Sequence, residues 1–115
     1  MELTLSEQAD YILAHTQGPI DETAGTVFRE RLHPLVGVRG TKVVLDISGS
    51  PRINSVGISN LVRLVSDANT NSSRVVLAGA TPFVASVLNV SRLDRFFDLV
   101  SGVPEAVALL QGPAG

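Results

Sequence analysis

The chain has 115 residues, 44% of them apolar, and a formal net charge of −2. This is the length of one domain, able to bury roughly two-thirds of its unfolded surface, and no apolar stretch reaches membrane-spanning length. The scattered basic residues and the few aromatics (Tyr11, Phe28, Phe83, Phe96 and Phe97) exclude a nucleic-acid footprint or a base-stacking platform, and the absence of cysteine excludes disulfides, thiolate chemistry and sulfur-ligated metal.

We therefore expect a single globular domain over residues 1–115. No basic segment followed by an apolar core opens the chain, so no signal peptide is expected, and the lack of cysteine suits the cytoplasm.

Residues 2–7 alternate, with Leu3 and Leu5 on one side, and residues 11–16 alternate again after the turn-forming Gln8-Ala9-Asp10. This pattern predicts an antiparallel hairpin, broken by Gln17-Gly18-Pro19. Asp21 and Glu22 suit the first turn of a helix, whose apolar stripe is Ala24, Val27, Phe28, Leu32 and Leu35. Pro34 should kink or stop it near His33. Val43–Ile47 has the near-continuous aliphatic character of a strand buried on both faces, interrupted by Asp46.

After the Ser-, Gly- and Pro-containing loop, Ile58, Leu61, Val62, Val65 and Ala68 follow helical spacing, closed by residues 69–73. Residues 74–78 form a second buried strand. Thr81-Pro82 caps a further helix with Val84, Val87 and Leu88 on its apolar face. A connector over 91–97 and a brief strand over 98–100 precede a last helix, expected to bury Ala106, Leu109 and Leu110 and to stop at Gly112-Pro113. The alternation of strands and helices implies an α/β fold with a mostly parallel sheet of four to five strands, about four helices packed on it and an N-terminal hairpin.

The search for catalytic chemistry is largely negative. His15 and His33 lie in different elements, and neither has a second metal ligand at helical or strand spacing, so no metal site is expected. Ser48, Ser50 and Ser55 have no nucleophile-elbow context and no evident base partner. Gly37 to Lys42 resembles a phosphate loop only in outline, because its spacing is wrong and it precedes a strand. Asp21 and Asp46 could pair for acid–base work if they converged at one sheet edge, but a helix cap and a strand-end turn account for them more simply. The loop from Ser50 to Gly57 feeds a helix N-terminus, where free N–H groups favour anions.

The pattern strand–Asp46-Ile-Ser-Gly–x–x–x–Ile–Asn54-Ser-Val-Gly57-Ile58 resembles the signature of STAS domains, the family of anti-sigma-factor antagonists that also occurs attached to anion transporters. Gly18-Pro-Ile-Asp21, Val76-Leu-Ala-Gly-Ala-Thr-Pro82 and Val87-Leu-Asn-Val-Ser-Arg-Leu-Asp-Arg-Phe96 match further family segments in order. The resemblance spans essentially the whole chain. It implies a STAS-type sheet and a non-enzymatic regulatory module. Such a module docks an anti-sigma factor or serine kinase through residues 50–69, without nucleic acid, cofactor or membrane insertion.

The family motif at the helix is Asp-Ser-Ser-Gly, in which a partner kinase phosphorylates the second serine. Here the aspartate position is Asn54 and the acceptor position is Val56, which has no hydroxyl. Ser55 is then a relocated acceptor or contact, or it caps the helix. Asn54 is read in parallel as a turn residue bonding local backbone, and Val56 as a helix staple or an apolar contact. The residues expected to meet a partner are Asp21, Asn54, Ser55, Val56, Gly57 and Ile58. The alternatives are the STAS subunit of a bacterial lipid-transport ATPase, or a small-ligand or nucleotide-binding domain.

Overall fold

A computed structural model describes residues 1–111. Five strands form one sheet in chain order. β1 (Glu2–Glu7) and β2 (Ile12–Gln17) make the antiparallel hairpin, and β3 (Lys42–Gly49), β4 (Arg74–Ala78) and β5 (Asp98–Val100) follow in parallel. The expected hairpin turn extends through Tyr11, so β2 starts one residue later than the alternation suggests.

The helices divide unequally between the two faces of the sheet. α1 (Glu22–Arg31), α2 (His33–Val36), α3 (Ser55–Thr70) and α4 (Pro82–Val90) all contribute to the larger core, with Val43, Leu45, Ile47, Val75 and Leu77 from the strands. Side chains alternate across a strand, so Val44 and Val76 point the other way, where α5 (Val103–Leu110) covers them with Ala106 and Leu110. β3 and β4 are thus buried on both faces, which is why their sequences are nearly all aliphatic.

The helix count differs from expectation because of Pro34. With no N–H and a ring that crowds the preceding turn, it ends α1 at Arg31, and the chain restarts as the short α2 with Pro34 in its first turn. A 3-10 turn over Leu93–Arg95 completes the connector before β5.

Two burial expectations change. Leu64 joins Leu61, Val65 and Ala68 in the core face of α3. Leu109 is 39% exposed instead of buried, because Ala106 and Leu110, four residues apart, define the inward stripe of α5. The expected stop at Gly112-Pro113 lies outside the described residues.

Candidate functional site

The loop after β3 is fastened to the loop after β2. Gly18 N–H donates to Gly49 O (2.9 Å), Ile20 N–H to Arg52 O (2.9 Å) and Asn54 N–H to Ile20 O (3.2 Å), and Ile20 and Ile53 form a parallel bridge. Both isoleucines are buried, so this pairing carries the sheet past its last regular residues and brings the first turns of α1 and α3 side by side. Gly57 allows the close approach. A Cβ there would stand 1.8 Å from Ile20 O, so no other residue fits without moving the backbone.

The two helices are capped by neighbouring residues. Asp21 caps α1, its Oδ1 accepting from Thr23 N–H (2.9 Å) and from the Thr23 hydroxyl (2.6 Å). The Thr23 hydroxyl first, and then its amide, hold the Asp21 carboxyl below the usual carboxylate range. Asn54 caps α3, its Oδ1 accepting from Gly57 N–H at 2.8 Å. Ser55, expected as a possible cap, is instead the first helical residue, since Gly57 sits against Ile20 and its N–H donates to the side chain of Asn54, three residues before it. The Ser55 hydroxyl is exposed and makes no hydrogen bond among the described residues.

Asn54 also spans the two helices. Its Nδ2 donates to Glu22 Oε1 at 2.9 Å, while Asn60 Nδ2 donates to Asp21 O at 3.1 Å. An aspartate at position 54 would supply the same cap acceptor but would face the Glu22 carboxylate without a proton to share. The amide therefore suits this chain, which carries a glutamate at the start of α1.

The structure brings all six expected residues to one edge. Asp21, Asn54, Ser55 and Val56 reach solvent, Ile58 is half-buried and Gly57 is buried beneath them. Val56 is 43% exposed, so it is a rim residue with its side chain open to contact. Glu22, expected only for the first turn of α1, joins this edge through Asn54, and two further neighbours, Arg52 and Phe83, carried no sequence signal. The Arg52 guanidinium lies 5.4 Å from the centroid of the Phe83 ring. Together with Pro19, Ile20, Asp21, Ile53 and Asn54 they line a shallow depression of about 250 Å³. Phe83 follows Pro82 in the first turn of α4 and is 47% exposed.

Asp46 belongs elsewhere. Its position in β3 puts it on the face that α5 covers. There His15 Nδ1 is 3.1 Å from Asp46 Oδ2, and Ser48 N–H donates to Oδ1 at 3.0 Å. Burial pushes the Asp46 carboxyl up, but the Ser48 hydroxyl and amide and the His15 ring outweigh it and leave it below the usual range. Asp21 and Asp46 share no partner, and each serves as the cap or turn residue expected of it. Among the described residues no group of three or more acidic or imidazole side chains could hold a metal ion, and no helix is long and apolar enough to cross a membrane.

Known proteins give the frame for this geometry. An anti-sigma factor antagonist from Mycobacterium paratuberculosis superposes with a TM-score of 0.83 at 15% identity, covering 96% of this chain and 93% of that one. RsbS of Moorella thermoacetica, in a serine-to-glutamate variant, gives 0.81 at 23% identity, with 99% and 98% covered. The murine Solute Carrier 26 family member A9 anion transporter gives 0.76 at 18% identity, covering 92% of this chain but 18% of the transporter. At these identities the likeness is one of fold. The STAS domain profile matches residues 2–106, and the chain belongs to the STAS domain family.

Proposed function

We propose that this protein is a non-enzymatic regulatory module of the cytoplasm that docks an anti-sigma factor or serine kinase through the loop and first turn at Asn54–Ile58, with Asp21 at the edge. The observation that carries this reading is Val56, a partly exposed aliphatic side chain on a backbone held by two caps and the Ile20–Ile53 bridge. An apolar side chain presented on a preordered turn loses little freedom on binding. The neighbouring Arg52–Phe83 pair extends the same surface with two residue types enriched at protein interfaces.

Val56 occupies the position that the family resemblance assigns to the phospho-acceptor, so the surface is permanently without phosphate at that residue. Regulation, where it exists, falls to Ser55, whose free hydroxyl stands at the first turn of α3. A phosphate there would add about −1.5 to −2 charges near unpaired amides that tolerate it, while altering what a partner meets.

Calorimetry with candidate anti-sigma factors and serine kinases from the same genome, neighbouring genes first, tests the reading. Val56→Asp should weaken the complex by more than about 1 kcal/mol, because an unpaired carboxylate would be desolvated, with the fold retained. An unchanged affinity would remove Val56 from the interface. Co-purification with a transport ATPase in place of an anti-sigma partner would overturn the assignment.

A further inference from the structure

β1 is an outer strand of the sheet and pairs, among the described residues, only with β2. We propose that its free edge pairs antiparallel with β1 of a second copy of this chain, about a twofold axis at Thr4, joining two sheets into one. The inference is independent of the docking surface. Glu2 is level with Gln17 and Gly49 at the docking end of the sheet, so antiparallel copies hold their Asn54–Ile58 turns at opposite ends of the pair.

The hairpin fixes which backbone groups are free. Gln8 N–H donates to Tyr11 O at 2.9 Å, and these two residues continue the register that sets Glu7 opposite Ile12. Hydrogen-bonded pairs alternate along an antiparallel ladder, so Glu2, Thr4 and Ser6 bond inward to β2. Leu3, Leu5 and Glu7 therefore turn their N–H and C=O groups outward. The opposite edge strand, β5, has 3 residues, whereas β1 has 6 in unbroken register with β2. Exposed edges are commonly blunted by bulges, prolines or charges, and between its terminal glutamates β1 has none of these.

The sequence of β1 is complementary to itself. Leu3 and Leu5 belong to the larger core, so Glu2, Thr4 and Ser6 lie on the other face. Residues opposed across an antiparallel pair share a face. The register centred on Thr4 obeys this rule: it sets Leu3 against Leu5 of the second copy, Thr4 against Thr4 and Glu2 against Ser6. No glutamate meets another. Centring on Leu5 would oppose Glu7 to Leu3, and centring on Leu3 would slide Ser6 and Glu7 past the start of the facing strand.

The core is also unfinished at this edge. Leu5, Ile12 and Leu35 are half-buried around a groove of about 270 Å³ that Glu7 rims. In the Thr4-centred register, Leu3 of the second copy stands opposite Leu5 and extends the apolar layer. One strand and a short ledge form a small interface beside the roughly 1,200–2,000 Å² of stable complexes, so the pair should be weak and reversible.

Sedimentation equilibrium of the whole protein from about 10 μM to about 1 mM should show a monomer–dimer equilibrium. Thr4 is exposed, so Thr4→Lys should keep the fold, as circular dichroism checks. It sets like charges face to face at the axis and should weaken the dimer about fivefold. Thr4→Glu should do the same, and an equimolar mixture of the two variants should associate again. Because the chain has no cysteine, single cysteines report the register. Thr4→Cys, in a non-hydrogen-bonded pair with Cα atoms about 4.5 Å apart, should cross-link on mild oxidation. Ser6→Cys, facing Glu2, should not. The proposal is overturned by a protein that is monomeric at about 1 mM, or by a Thr4→Lys variant that dimerises like wild type. It is also overturned by association that Val56→Asp abolishes and Thr4→Lys does not, or by Ser6→Cys cross-linking as readily as Thr4→Cys.

Discussion

The Asn54–Ile58 turn and the His15–Asp46 pair stand at the same end of the parallel strands but on opposite sides of the sheet. One is rich in titratable chemistry and the other nearly devoid of it. Yet the chemical cluster is closed on itself: the Asp46 carboxylate is occupied by His15 on one oxygen and Ser48 on the other. In the turn every capping group is also satisfied, but the satisfaction is directed inward and leaves Ser55 and Val56 facing solvent. A docking surface needs groups that are held firmly by their backbone and left free at their tips. The turn meets that condition, and the His15–Asp46 pair does not.

Substitutions can break this contrast at several strengths. Gly57→Ala should be the most damaging, at about 3 kcal/mol or more in a urea melt, because the added methyl collides with the Ile20 carbonyl and forces apart the two loops it joins. Asn54→Ala should cost about 1 kcal/mol through loss of the cap. Asn54→Asp restores the acceptor but sets it against Glu22, so its stability should recover when Glu22→Gln is added; an Asn54→Asp protein as stable as wild type would show that the Glu22 contact has no weight.

On the other face the effect should appear in the pH dependence. The folded Asp46 carboxyl titrates below its usual value of about 3.9, so its contribution is complete above that value and is lost as pH falls through the lower folded one. Asp46→Asn should flatten that part of the acid limb in melts between pH 5 and 2 (Asp21, shifted in the same direction, supplies some of what remains), while costing about 1 kcal/mol or less at neutral pH. Smallest of all, Ser55→Ala should move stability by only a few tenths of a kcal/mol, since its hydroxyl makes no bond within the fold. A loss near 1 kcal/mol would restore the capping role to Ser55.

The hairpin, the buried strands Val43–Ile47 and 74–78 and the alternation of helices were legible because each follows from a period or from aliphatic runs that only a two-sided interior accepts. The place of the candidate site was legible for a similar reason: a loop of small residues ends at a helix mouth. Which residue caps that helix was not. Asn54 and Ser55 are comparable caps by residue type, and the choice is made by the contact between Gly57 and Ile20, which are far apart in sequence. Arg52 and Phe83, likewise, meet only because β3 and β4 are neighbours. The exposure of Leu109 was hidden because Leu109 and Leu110 are alike in composition, and only packing on Val44 and Val76 selects between them.

The Ile20–Ile53 bridge has a dynamic consequence. It binds the chain after the hairpin to the start of α3, so the amides of Gly18, Ile20 and Asn54, each donating across the two loops, should open to hydrogen exchange as one cooperative unit and not one by one. Protection of these amides in the free protein would mean that the turn proposed for docking is ordered before anything binds it, so that association would begin from an ordered loop.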